Sequence, residues 1–314
     1  MQNSFISLVS VINQPYEIRG LAHWLRQTHT VLAQNFTDFE VILLNNALGK
    51  EIEDRIRELP AEIRQSIFLL NLSVPVNKNH ALVAGLDRAN GDYTVIFEQN
   101  FADRPELILR LYEKTREVYD IVYLRATERD TKIGFFYKLF YFILRNYSDL
   151  KTDEKAHHTR IISRRALNSL LRLRENLRYM KAIYSLVGYP TTFLPTDEPL
   201  REYDSSFNRR AKTFMVAVTS FTTFFRSVML WIFLASLAFA AVVVFNAVMV
   251  KLTNYDIFGD YHEAVSGWTF LVVLISIFFA VMFLNLYIVS IYLANIYQEM
   301  KARPMYILES VKRF

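Results

Sequence analysis

Two stretches of this chain run without a charge for longer than a soluble helix tolerates. Val228–Val250 covers 23 residues and Trp268–Ile296 covers 29, both rich in Leu, Ile, Val and Phe. At about 1.5 Å per residue, a helix of the shorter stretch is roughly 34 Å long, enough to cross a hydrocarbon core. Helices of a soluble core keep a charged face, so burial in such a core is the poorer account of both. The connector Lys251–Gly267 sets one Lys against Asp256, Asp260 and Glu263, whereas Arg209, Arg210, Lys212 and Arg226 precede the pair and Lys301, Arg303, Lys312 and Arg313 follow it. The positive-inside rule then predicts a transmembrane hairpin over 228–296, made of spans 228–250 and 268–296. The N-terminal domain and a tail at 297–314 are expected in the cytoplasm, and the protein in the inner (cytoplasmic) membrane, multi-pass. The opening MQNSFISLVSVIN has no basic n-region or small-residue cleavage site, so no signal peptide is expected.

Ahead of the first span, residues 208–227 begin with basic residues and repeat Phe214, Val218, Phe221 and Phe225 at helical spacing. That pattern predicts an interfacial amphipathic helix, with cations at lipid phosphates and rings at the acyl boundary. A helix packed on the soluble domain is the alternative. The absence of cysteine excludes disulfides, Cys-ligated zinc, iron–sulfur clusters and thiol nucleophiles. A net charge of +5, spread along helices and membrane flanks without a recognition motif, speaks against nucleic acid as a partner.

Residues 1–207 alternate β-rich apolar runs with helical stretches. Strands are expected at Phe5–Ile12, Phe39–Leu44, Ile67–Leu72, Tyr93–Phe97 and Ile121–Leu124, with helices at Tyr16–Gln34, Glu51–Glu58, Asn79–Ala89 and Pro105–Val118. The alternation predicts an α/β layer with a mostly parallel sheet. Ligands of such sheets bind beyond the carboxyl ends of the strands, here after Ile12, Leu44 and Phe97.

The stretch NHALVAGLDRANGD followed by YTVIFEQNFADRPELI, from Asn79 on, resembles a segment of the polyprenyl-phosphate glycosyltransferases, such as dolichyl-phosphate mannose synthases and bactoprenol glucosyltransferases. There, A-L-x-A-G-L-x-x-A-x-G-D leads into a strand and then D-A-D-L-Q-D-P-P-E-L. FEVILLNN, HTRIISRRALNSL, RENLRYMKAIYSLVGY and the tail IYQEMKARPMYIL are similar to further family segments in the same order. The resemblance implies a GT-A, Rossmann-like domain joined by interfacial helices to membrane helices. It also implies transfer of a sugar from a nucleotide-sugar to polyprenyl phosphate for cell-envelope polysaccharide, and assembly as a homo-oligomer, a tetramer in related enzymes. Ser236, Ala240 and Ala241 would allow close helix approach, or simply face lipid.

Carried over position by position, the family's site is altered in this chain. Mg²⁺ or Mn²⁺ would neutralise the leaving diphosphate, held by carboxylates of a D-x-D motif; here Glu98-Gln99-Asn100 stands there, one carboxylate and a neutral amide. The D-D-G-S of the nucleotide site is Asn45-Asn46-Ala47-Leu48, and P-V-Y-N-E is Ser10-Val11-Ile12-Asn13-Gln14. Asn13, Asn45 and Asn46 thus become the nucleotide-binding candidates by hydrogen bonding alone. In G-D-F-R the acidic residue is His158, a candidate base near the lipid phosphate or else a solvated loop His, and Arg160 persists. Arg201 and Ser206 match R-x-x-G-x-S-K-Y, whose Lys is missing; Arg209 and Arg210 lie nearby as substitutes for phosphate or lipid binding. Losing metal carboxylates removes several kcal/mol of transition-state stabilisation, about 1.4 kcal/mol for each tenfold in rate. The sequence reading is therefore a weak or non-catalytic pseudo-glycosyltransferase, a scaffold or the partner of an active relative, with Mg²⁺ or Mn²⁺ as cofactor if it is active and none otherwise. The alternatives are an active enzyme with an altered metal site and a lipid-phosphate binding module.

Overall fold

The computed structural model describes residues 1–127, 142–143, 145–147, 153–173, 180–199, 222, 224–261, 268–300 and 304–314. The chain divides into two compact units. One is built from Met1–Tyr141, Leu150–Ser206 and Ala302–Phe314, the other from Phe142–Asp149 and Phe207–Lys301.

The first unit is organised on β1 (Gln2–Ile12), whose last seven residues are all buried. An apolar run of that kind suits a central strand covered on both faces. β1 pairs in parallel with β2 (Phe36–Asn45) on one side and with β4 (Tyr93–Ile96) on the other, and β2 pairs in parallel with β3 (Ile67–Leu72). The connections are helical: α1 (Pro15–Asn35), then α2 (Glu51–Arg57) and α3 (Ala61–Gln65), then α4 (Lys78–Arg88). Trp24 of α1 is fully buried and stacks at 6.2 Å on Phe97, just past β4. Beyond the expected strands, β6 (Ala156–Ser163) runs antiparallel to both β4 and β5 (Ile121–Ala126), and β7 (Thr191–Thr196) lies parallel to β5. β8 (Leu308–Arg313) closes the other edge antiparallel to β3. The order is β7-β5-β6-β4-β1-β2-β3-β8. The sheet is therefore mixed, because two strands, β6 and β8, run antiparallel to their neighbours. The tail expected at 297–314 as a separate element ends as a strand of this same sheet. α5 (Leu107–Thr115) turns Leu107, Ile108 and Leu111 into the core. α6 (Arg164–Arg172) and α7 (Met180–Leu186) follow β6.

The glycines of the sequence motif have steric reasons. A Cβ on Gly85 of α4 would stand 2.5 Å from Leu44 Cδ1 and 2.6 Å from Val9 Cγ1. One on Gly91 would meet the Phe5 carbonyl and the Ser7 amide at 2.6 Å. The paired arginines of the motif are structural as well. Arg164 donates to the Ala89 and Gly91 carbonyls, and Arg165 forks onto buried Asp120 through two 2.6 Å bonds.

In the second unit, α8 (Phe224–Thr253) starts four residues ahead of the expected span, and α9 covers Trp268–Met300. Among the described residues one helix is long and apolar enough to cross a membrane. It is α9, whose window Ile277–Ala294 has mean hydropathy 2.2 and is 6% buried. The two-span hairpin is thus met by one qualifying helix. Most of residues 208–227, the expected interfacial helix, lies outside the described residues, as do Arg201, Ser206, Arg209 and Arg210.

Candidate functional site

The strand order reverses at β1, which has β2 on one side and β4 on the other. An open α/β sheet leaves a crevice at such a switch point, outside the carboxyl ends of the strands. A pocket lies there, lined by Ser10 and Val11 of β1, Glu17 of α1, Lys78, Asn79 and Leu82 of α4, Ile96 at the end of β4 with Phe97, Glu98 and Gln99 after it, and His158 of β6.

Its electrostatic centre is a lysine. Lys78 Nζ donates to Glu98 Oε1 at 2.9 Å, with side-chain exposures of 30% and 13%. Burial works against the Glu98 charge, but Lys78 and then His158 outweigh it and hold the carboxyl down at about 2. Burial likewise opposes the Lys78 charge, while Glu98 and Glu17 raise its pKa on balance. Glu17 arrives through the cap of α1, where its Oε2 accepts from the Asn13 and Gln14 amides at 2.6 and 2.9 Å, with Pro15 at the first turn. The Lys78 end of α4 is fixed by Asn77, whose side chain accepts from the Asn79 amide.

This donor set does not fit a divalent ion. Hard cations take several oxygen ligands, with charge from more than one carboxylate. Here Glu98 already faces an ammonium, and Asn100, on the 3₁₀ turn Gln99–Phe101, does not line the pocket. Asn100 Oδ1 is buried without a hydrogen-bond partner, an acceptor that one donor or a water would satisfy. Among the described residues no group of three or more His, Cys, Asp or Glu converges as a metal site.

None of the three asparagines lines the pocket; Asn45 and Asn46 spend their donors on the scaffold, and Asn13 accepts one of them. Asn46 Nδ2 donates to Asn13 Oδ1 at 2.6 Å and to the Val76 carbonyl at 2.8 Å, while its Oδ1 accepts from the Val76 amide. Asn45 Nδ2 donates to the Gly49 carbonyl and to Asn71 Oδ1, and its Oδ1 accepts from the Leu48 amide. Both are nearly fully buried. Together they clamp a loop in which Ala47 (φ 58°) and Gly49 (φ 88°) are left-handed. For Ala47 that conformation costs about 1–2 kcal/mol, offset by these bonds.

Arg160 is 3% exposed and does not line the pocket. Its guanidinium donates to the His157 and His158 carbonyls and lies 3.7 Å from the centre of the Tyr184 ring. His157 is buried, against the Glu198 carbonyl and edge-on to Phe101. His158 alone of this pair lines the pocket. The sequence reading missed Lys78 and Glu17. Glu17 was legible as the acid three residues after Gln14, and Lys78 as a cation at the start of the helix that follows β3.

The sequence model of glycosyl transferase family 2 matches residues 12–171. An uncharacterized glycosyltransferase from Synechocystis sp. is 28% identical over 317 residues, covering 98% of this chain and 96% of its own. A prophage bactoprenol glucosyl transferase homolog from Escherichia coli is 27% identical, over 88% of this chain and 90% of its own. An undecaprenyl-phosphate 4-deoxy-4-formamido-L-arabinose transferase from Pseudomonas syringae pv. syringae is 25% identical, over 98% and 92%.

Proposed function

The chain belongs to glycosyl transferase family 2, and from that premise we propose that it is a membrane-anchored, GT-A-like member of the polyprenyl-phosphate branch that is weakly catalytic or non-catalytic. Its pocket would receive a nucleotide-sugar, and its role would be that of a scaffold or partner subunit, in a homo-oligomer or beside an active relative. The observation that carries this reading is the Lys78–Glu98 ion pair at the end of β4. The one carboxylate in line with the family's metal motif is already matched by a cation of the chain itself. Bringing a second cation to Glu98 means breaking a largely buried pair.

Membrane anchoring draws support from α9, where Phe283, Tyr287 and Leu293 are each more than 60% exposed, and from Trp231 of α8 at 70%. Apolar surface on that scale marks contact with lipid or with another chain. The hairpin draws support from β8. A chain whose residues on both sides of α8 and α9 join one sheet crosses a bilayer an even number of times. If α9 spans, α8 spans too. The interfacial helix at 208–227 and lipid-phosphate contacts from Arg201, Ser206, Arg209 and Arg210 complete the proposal. Arg160 would support the His157 and His158 backbone rather than grip phosphate.

Full-length protein in detergent, titrated with UDP-glucose and GDP-mannose with and without Mn²⁺ and assayed for transfer to undecaprenyl phosphate, tests this. Binding without a Mn²⁺ increment, and no transfer, is expected; Mn²⁺-dependent product would overturn it. The double variant Glu98→Asp, Asn100→Asp is expected to gain little Mn²⁺ affinity while Lys78 remains. A second reading, an active enzyme with His158 as base, is favoured by one observation: His158 and Glu98 line the same pocket. Loss of measurable transfer in His158→Ala would support it.

A further inference from the structure

We propose that the C-terminal strand β8 sets the conformation of the loop after β2, and through it the nucleoside end of the pocket, by the hydrogen-bonded series Ser310–Asn71–Asn45. The inference rests on the reading of that loop as part of a nucleotide site. Ser310 and Asn71 are paired across β8 and β3, and Asn71 Nδ2 donates to Ser310 Oγ at 2.9 Å and to Glu53 Oε1 at 3.3 Å. Two acceptors on one side fix which way the Asn71 amide points; a flip would set its oxygen against the Glu53 carboxylate. Asn71 Oδ1 must then face Asn45, whose Nδ2 it accepts at 2.9 Å. Asn45 in turn holds Leu48 and Gly49 at 2.8 Å each, across the left-handed residues Ala47 and Gly49. The series is shielded, with Asn71 and Asn45 only 6% and 4% exposed.

Backbone pairing alone would cover the edge of β3. The inward face of β8 does more. Ser310 and Lys312, two residues apart and so on one face, both reach the Asn71–Glu53 pair, Lys312 Nζ bonding Glu53 at 2.6 Å. Ser310 is thus a positioning residue, acting through Asn71 on a loop more than 250 residues away in sequence.

Hydrogen exchange and nucleotide titration on the full-length protein in detergent test the series. Ser310→Val removes the hydroxyl, Ser310→Thr keeps it, and Val311→Ala alters the outer face of the same strand. Ser310→Val is expected to speed amide exchange over residues 46–50 and weaken UDP-glucose binding, each about fivefold, the worth of one hydrogen bond. Ser310→Thr and Val311→Ala are expected to match the parent. Unchanged exchange at 46–50 in Ser310→Val, or an equal change in Val311→Ala, would overturn the proposal. If the parent protein binds no nucleotide, the nucleotide reading of the loop falls, and the exchange comparison still decides whether β8 sets it.

Discussion

An asparagine where a related site would carry an aspartate differs in more than charge, and Asn46 makes the difference concrete. Its amide donates to Asn13 Oδ1 and the Val76 carbonyl; a carboxylate there would face two acceptors with nothing to give. Asn46→Asp is therefore expected to destabilise the protein by about 1–3 kcal/mol instead of restoring a ligand, read as a fall in Tm of several degrees. Lys78 is the other residue on which the site turns. Lys78→Met leaves Glu98 buried beside no ammonium, at an expected cost of about 1–3 kcal/mol near neutral pH, the lower side of a broken buried pair because Lys78 is 30% exposed. The sign with pH follows from Glu98. Its folded pKa of about 2 lies below the ordinary 4.5. The stability it contributes is complete above the ordinary value and is lost as pH falls toward 2. The gap between parent and Lys78→Met should accordingly be widest above pH 5 and close in acid, as urea titrations at several pH values would record.

Elements pack here by close approach, and two of them carry predictions. Gly85→Ala pushes a methyl between Leu44 and Val9, at an expected cost of about 1–3 kcal/mol through separation of α4 from β1 and β2. Gly91→Ala meets backbone rather than side chain and should cost more, with lower yield of folded protein as the second readout. β8 is held electrostatically as well as by its ladder. Lys312 holds the Glu53 carboxyl below its ordinary 4.5, against burial. That contribution is present above the ordinary value and lost as pH drops beneath it. Exchange of the 308–313 amides, corrected for intrinsic rates, should accordingly rise in acid before that of the β1 amides does.

For the molecule as a whole, the lack of cysteine makes the proposed topology directly measurable. With single cysteines introduced by Phe258→Cys, in the connector, and Glu309→Cys, on β8, an impermeant maleimide added to intact cells should label the first, and the second only after permeabilisation. Labelling of both from outside would remove the hairpin. The strands β1 to β5 and the helices α1, α2, α4 and α5 were legible in the chain, though the short α3 was not, because apolar runs and helical periodicity are local signals that burial rewards in any compact fold. So were the residue types at Asn45, Asn46, Glu98 and Asn100, since a residue's identity needs no fold. β6, β7 and β8 were not foreseen: nothing in AHHTRIIS, TTFLPT or LESVKR marks a strand until a neighbouring strand supplies the partner. What surrounds a charge was equally out of reach. Whether Glu98 meets a metal or Lys78, whether Asn45 and Asn46 face a ligand or a loop, and that Ser310 stands beside Asn71 depend on contacts between residues far apart in the chain. Those contacts exist only once the sheet has closed, so the sequence determined which groups the protein has to work with, and tertiary structure alone decided what each of them touches.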